Sequence, residues 1–177
     1  MVVLIDGPYG IGKTTVAQYL IDSFCGESFV LYDPDDSLME TLNDNQQLEW
    51  FKYVFKGLDG TEIPTFLQAE REEVLSRHST NKHVILPIGL GHENGKKYIV
   101  EYFNDQDIKI IHIILEASQE AVESRILGDE GRDTNLAMNR YYENVEFLNH
   151  NYPDAIRINT DGKDAYKVAQ EIAMKVL

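Results

Sequence analysis

The sequence predicts an α/β fold of three layers: a five-stranded parallel sheet with helices on both faces. Two observations carry this. Five short apolar runs recur along the 177 residues, and each is near-continuous rather than alternating, the pattern of a strand covered on both sides. Between the runs lie stretches whose apolar residues fall on one helical face. Strands alternating with helices in this way pair in parallel, with the helices packed against the sheet.

The first strand is Val2, Val3, Leu4 and Ile5. A helix over 13–24 follows, with Val16, Ala17, Leu20, Ile21 and Phe24 on one stripe. The second strand spans 29–32. An acceptor-side helical segment covers about 45–79, with Leu48, Phe51, Phe55 and Leu58, then Ile63, Phe66, Leu67, Val74 and Leu75, at helical spacing. The third strand is 84–86 and the fourth 108–114. Ser118 can N-cap a helix bearing Ala121, Val122 and Ile126. Met138, Tyr141, Tyr142, Val145 and Leu148 stripe the next helix. The fifth strand is 155–158. Ala165, Val168, Ala169, Ile172 and Val176 stripe the last helix, with Gly162 just before it.

Composition bounds the function. Thirty acidic residues outweigh 16 basic ones, for a net charge of −14. Such a surface repels phosphate backbones and anionic lipid, so nucleic acid and membrane are not expected partners. Cys25 is the one cysteine and cannot form an internal disulfide. No apolar run approaches the ~18 residues of a membrane span. No basic leader precedes Val2, so no signal peptide is expected. The reading is a single cytoplasmic domain over 1–177, with monomer and homodimer both open.

Gly7, Pro8, Tyr9, Gly10, Ile11, Gly12, Lys13 and Thr14 fit G-x-x-x-x-G-K-[ST] at every fixed position. The match lies directly after a strand and directly before a helix. Its glycines let successive N–H groups turn inward around a phosphate, and the helix N-terminus adds a positive dipole end. Lys13 reaches the outer phosphates, the Thr14 hydroxyl ligates Mg²⁺, and Thr15 adds a hydroxyl to an inner phosphate. By chance the pattern would occur in under about one chain in a hundred of this length. ATP with Mg²⁺ is the expected cofactor pair, and the fold becomes a P-loop NTPase fold. Asn81-Lys82-His83-Val84 lacks the aspartate of a guanine-reading motif. Gly89-Leu90-Gly91 lacks the third glycine of a dinucleotide fingerprint, Asn94 standing in its place.

Ligands of such sheets sit beyond the carboxyl ends of the strands. After the second strand come Asp33, Pro34, Asp35 and Asp36. Asp33 is the expected general base for an acceptor hydroxyl, Asp35 an expected water-mediated Mg²⁺ ligand, and Asp35 or Asp36 a helix N-cap. No acid follows the third strand, so the acid that orders the metal must come from Asp33 or Asp35, with Glu93 as fallback. After the fourth strand, Arg125 and Arg132 bracket Gly128-Asp129-Glu130-Gly131, a short lid over about 128–135. Closing arginines stabilise charge on a moving phosphoryl group. The plainer alternative pairs them with Asp129, Glu130 or Asp133 on the surface.

The run from Ile5 to Thr14, the Tyr32-Asp33-Pro34-Asp35 stretch, Leu86-Pro87, the Ile111-His112 strand leading to Ala117-Ser118, and Asn159-Thr160-Asp161 together resemble the tunicamycin resistance protein family of P-loop proteins. The resemblance covers most of the chain. It implies a nucleoside-monophosphate-kinase-like fold, ATP binding and resistance to a nucleoside-like antibiotic. It also implies that Thr160 and Asp161 border the adenine pocket; a turn and cap for the last helix is the alternative. The loop is similar to that of viral thymidine kinases as well, but their Asp-Arg pair after the third strand is missing.

On the acceptor side, Trp50 and Tyr53 fall off the apolar stripe and are pocket candidates, with Tyr9 contributing from the loop. Arg71 sits in Glu70-Arg71-Glu72-Glu73, which reads as a solvated helix face. The five histidines show no zinc spacing. His92 is placed to touch substrate, and His112 to sit satisfied in the core. The expected function is a kinase that transfers the γ-phosphoryl group of ATP to a small-molecule acceptor such as a nucleoside-like antibiotic. The alternatives are a nucleoside or nucleotide kinase of ordinary metabolism, which would need Arg71 for an acceptor phosphate, or an ATP-switched binding protein.

Overall fold

The computed structural model describes residues 1–35, 45, 65–128 and 134–177. One parallel sheet holds β1 (Val2–Asp6), β2 (Phe29–Leu31), β3 (His83–Pro87), β4 (Ile110–Glu116) and β5 (Ile156–Asn159), in the order β2-β3-β1-β4-β5. Each expected strand is present within two residues of its expected bounds. The helices are α1 (Lys13–Ser23), α2 (Thr65–Ser79), α3 (Glu93–Gly95), α4 (Tyr102–Asp105), α5 (Gln119–Leu127), α6 (Thr134–Asn151) and α7 (Ala165–Val176), with a π-helix over Lys96–Glu101. No described helix is long and apolar enough to cross a membrane.

β1 shows why the sheet needs two covering layers. Successive strand residues point to opposite faces. Val3 and Ile5 join α1, α5 and α7 in one core, while Val2 and Leu4 join α2, the π-helix and α4 in the other. All five β1 residues are buried, and each large apolar side chain so buried contributes about 2 kcal/mol. Ser118 caps α5 as expected, its hydroxyl accepting the Ala121 N–H at 3.3 Å.

Two local expectations fail. Residues 93–105 are helical although no period marked them. The pieces there are 3, 6 and 4 residues long, shorter than the window of about 11 residues in which a period shows. The charged run on α2 is not a solvated face: Glu70 and Arg71 are buried, and of the two that follow only Glu72 is exposed. At about 100° per residue, four consecutive side chains sweep most of the helix circumference, so part of the run must turn inward.

The strand order reverses about β1, which has β3 on one side and β4 on the other. A crevice opens beyond its carboxyl end at such a point. Asp6 stands there, fully buried. Its Oδ1 accepts the N–H of Gly7 at 2.6 Å and of Leu90 at 3.0 Å, and its Oδ2 lies 3.0 Å from Nε2 of His112. His112 packs edge-on to Tyr152, with ring centroids 4.5 Å apart. The expectation that His112 is satisfied in the core holds.

Replacing Asp6 with alanine would strand two buried N–H groups and His112. Urea unfolding of Asp6→Ala should show a loss of about 3 kcal/mol. A loss below about 1 kcal/mol would mean the joint is dispensable.

Candidate functional site

The loop after β1 is built from backbone. Gly7, Gly10 and Gly12 have φ of 143°, 80° and 97°, which side-chain-bearing residues rarely adopt. Gly7 is constrained twice, because a Cβ there would stand 2.7 Å from the Leu115 carbonyl oxygen of β4. The Ile11 N–H donates to the Pro8 carbonyl at 3.3 Å, and the Ile11 side chain is buried in the core. α1 then starts at Lys13 with no side-chain cap, so the first N–H groups of the helix are open to an anion. The Lys13 ammonium donates to the carbonyls of Gly7 at 3.0 Å and Pro8 at 3.3 Å. Tyr9, Thr14 and Thr15 are exposed beside it. The expected loop residues 7–15 thus run from the end of β1 into the first turn of α1, and of them Pro8 lines a cavity.

These groups fit a nucleoside triphosphate. N–H donors, one ammonium and two hydroxyls meet a polyanion, and the Thr14 hydroxyl is an oxygen ligand of the kind Mg²⁺ takes. Asp35 is exposed just beyond β2. Among the described residues, no three or more His, Cys, Asp or Glu side chains gather to hold a metal ion. A phosphate-borne Mg²⁺ needs only one or two protein ligands, so the donor set suffices.

The β4–β5 side is held by polar ties. From the last turn of α5, Arg125 Nη1 donates to the Ile11 carbonyl at 3.4 Å and to Thr160 Oγ1 at 3.1 Å, while Nη2 donates to the Thr160 carbonyl at 3.3 Å. Both Asp161 carboxylate oxygens accept the Ser118 N–H, at 3.0 and 2.9 Å. Asp164, not Asp161, caps α7, taking the Lys167 N–H at 2.8 Å. Of the alternative reading of Thr160 and Asp161, the turn stands, the Thr160 carbonyl accepting the Lys163 N–H at 3.2 Å, and the cap does not; the two residues also stitch the loop after β5 to the loop after β4. A cavity of about 330 Å³ lies between Pro8, the end of β4, Tyr141 and Asp161. Arg125 is anchored at this flank of the phosphate loop. Arg132 lies outside the described residues.

α6 touches both flanks. Tyr141 donates its hydroxyl hydrogen to the Ala117 carbonyl at 3.3 Å, and Asn144 Nδ2 donates to the Gly91 carbonyl at 3.2 Å. A Cβ on Gly91 would run into Asn144.

The β2–β3 side carries the acids. Asp33, at the carboxyl end of β2, is buried, and its Oδ1 accepts the Asp35 N–H at 3.0 Å. Pro34 and Asp35 already lie in a helical turn. Asp33 therefore fills the capping place expected of Asp35 or Asp36; Asp36 is outside the described residues. Glu70 of α2 is buried nearby, and burial, then Asp35, then Asp33 push its carboxyl up to about 8. The Arg71 guanidinium lies 4.0 Å over the Tyr102 ring. Burial pushes His92 down to about 4, against Asp6 and a Gly89 backbone hydrogen bond. Its Nδ1 accepts the Gly95 N–H at 2.9 Å, so the ring caps α3. Trp50, Phe51, Tyr53 and Phe55 lie outside the described residues, and Phe66 is core.

Sequence reasoning did not single out Asp6 and did not expect Glu70 to be buried. Each left a signal. Asp6 is an acid closing an otherwise apolar strand. Glu70 stands on the stripe of Phe66, Leu67 and Val74, where solvent is not expected.

Because the folded Glu70 carboxyl titrates well above its unfolded value, stability is full below the unfolded pKa. It is lost as pH rises through about 8. Glu70→Gln should flatten that decline in a melting-temperature series from pH 5 to 9. A parallel decline in the variant would assign it to other groups.

No family model and no curated protein matches the sequence. Solved structures do match. The tunicamycin resistance protein of Deinococcus radiodurans aligns at a TM-score of 0.66 and 19% identity, over 99% of this chain and 94% of its own. A sugar kinase from Janibacter sp. gives 0.66 and 16%, over 98% and 92%. A shikimate kinase from Bacteroides thetaiotaomicron gives 0.64 and 17%, over 99% and 98%. The strand order, the loop beyond β1 and these likenesses agree on one conclusion: the chain shares the three-layer α/β fold of these solved structures.

Proposed function

We propose that this protein is an ATP-dependent phosphotransferase that phosphorylates a hydroxyl of a small molecule. The observation that carries the reading is the pairing of a phosphate cradle at the switch point of the sheet with a buried carboxylate, Asp33, two strands away at the same sheet edge. The kinases among its structural neighbours support it. A nucleoside-like antibiotic is the acceptor suggested by the likeness to a tunicamycin resistance protein. The protein works in the cytoplasm.

In this mechanism the backbone N–H groups of residues 7–14 and the Lys13 ammonium hold the ATP phosphates. Thr14 and Asp35 would hold Mg²⁺, which would supply charge neutralisation on the phosphates. Asp161 borders the nucleoside end, and Arg125 and Arg132 supply positive charge on the transferred phosphoryl group. Asp33 orients the acceptor hydroxyl and takes its proton as the oxygen–phosphorus bond forms and the bond to the ADP oxygen breaks. Most of the rate comes from position and charge, because phosphoryl transfer asks little covalent chemistry of the protein.

A second reading draws on buried Arg71. A nucleotide kinase needs a cation for the acceptor phosphate, and Arg71 is the candidate on this side.

Lys13→Ala should keep the fold by circular dichroism yet lose the rise in melting temperature that ATP with Mg²⁺ gives the wild type. An unchanged rise would remove Lys13 from the site. Asp33→Asn should keep that rise and cut acceptor-dependent ADP release by about 100-fold or more. Release at the wild-type rate would leave Asp33 a cap only.

A further inference from the structure

The cavity of about 330 Å³ lies at the carboxyl ends of β4 and β5, with α6 forming one wall. Pro8 lines it from the loop after β1; Lys13, Thr14 and Arg125 do not. It is therefore not the phosphate cradle. Nor does it extend to Asp33. β2 and β4 are three places apart in the sheet, roughly 14 Å at about 4.8 Å per strand, more than a single ring spans.

The floor is apolar. Ile114, Leu115, Tyr141 and Leu148 line it and are buried, and the Tyr141 hydroxyl hydrogen is already given to the Ala117 carbonyl. Small-ligand sites hold about 300–1,000 Å³, so this one has room for one ring system.

The rim is polar. Arg157 is the one Lys or Arg among the lining residues. Its Nη1 donates to Glu116 Oε1 at 2.7 Å and to Asn149 Oδ1 at 2.6 Å. Its Nη2 donates to the carbonyls of Leu148 at 3.1 Å and Tyr152 at 3.2 Å. The Nη hydrogens are all engaged, so the fork that would grip a carboxylate or phosphate is occupied. Asn159 Oδ1 accepts the Asp161 N–H at 2.6 Å. Donors thus fix the oxygens of Asn149 and Asn159, which leaves the NH₂ end of each amide unused among the described residues. Asp161 accepts the Ser118 N–H alone, and Glu116 Oε2 accepts nothing from the described residues.

Amide donors and carboxylate acceptors therefore stand together above an apolar floor. An anion would meet Glu116 and Asp161 with no open guanidinium fork to hold it. A polyol would press hydroxyls against apolar side chains that offer them no partner. A plain aromatic ring would gain nothing from the rim. An uncharged heteroaromatic ring with donors and acceptors along one edge suits both.

We propose that this cavity binds an uncharged ring of the nucleobase kind, as the free base or its nucleoside, apart from the phosphate loop and from Asp33. The inference does not rest on the phosphotransferase reading. Asp161 lines the cavity and also borders the nucleoside end of ATP in that reading, so competition with nucleotide is the deciding measurement.

The test uses the full-length protein in calorimetric titrations with uracil, cytosine, adenine and their nucleosides. Orotate (a uracil ring bearing a carboxylate), glucose and phenol are the contrasts. At least one base or nucleoside should bind at about 1 mM or tighter, and about tenfold or more above every contrast. Saturating AMP-PNP with Mg²⁺ should leave that affinity unchanged, as should Lys13→Ala. Val145→Phe, which adds a ring to the α6 wall, should weaken it about tenfold or more. Asn149→Asp keeps an oxygen for Arg157 and removes the NH₂ donor; it should weaken binding about fivefold. A cooperative melt near the wild-type temperature shows that a variant folds, and Asn149→Asp decides alone where Val145→Phe does not.

No binding by any base or nucleoside, a contrast that binds as tightly, or unchanged affinity in either folded variant overturns the proposal. Displacement by AMP-PNP overturns it too, and makes the cavity the nucleoside pocket of ATP. Base binding without any nucleotide-induced rise in melting temperature removes the ATP reading and leaves this site.

Discussion

One buried carboxylate references the working end of this molecule. Asp6 ends β1 and holds Gly7 at the start of the loop after it, Leu90 beyond β3 and His112 in β4. A charge so placed needs every contact it has, because the apolar interior gives it no water. The same need makes it a rigid joint. The loop leaves the sheet in one direction only, and the close approach of Gly7 to the Leu115 carbonyl leaves no room for a side chain.

From that joint the site divides in two. Toward β4 and β5, neutral and charge-assisted bonds tie Arg125, Thr160, Asp161 and Ser118 into a frame beside the loop. Toward β3 and β2 the character changes to buried acids and stacked arginines. The division follows from the strand order. β3 and β2 lie on one side of β1, β4 and β5 on the other. The net charge of −14 is compatible with an anion at the loop, since backbone N–H groups act over a few ångströms while the surface field is screened by salt.

The sheet was legible because both of its faces are covered, which turns strands into continuous apolar runs, as in Val2 to Ile5. The loop after β1 was legible because G-x-x-x-x-G-K-[ST] sets residue types at fixed spacing and its glycines carry positive φ. The short helices and the π-helix of residues 93–105 were not, since each is too brief to show a period. The inward turn of Glu70 and Arg71 was obscured by composition: a window of four charges reads as solvated, although one helical turn points in every direction. Asp33 was singled out for chemistry and Asp36 for capping, yet Asp33 itself caps the turn through Pro34. Local hydrogen bonding and position in the sheet select the same residue type there, and sequence spacing does not separate them.

The contacts of α6 have a consequence for how the halves communicate. The helix meets the carbonyl of Ala117 through Tyr141 and that of Gly91 through Asn144, so it ties the loop after β4 to the loop after β3. Any factor by which a ligand on one of these loops changes affinity at the other through this helix is returned in equal measure.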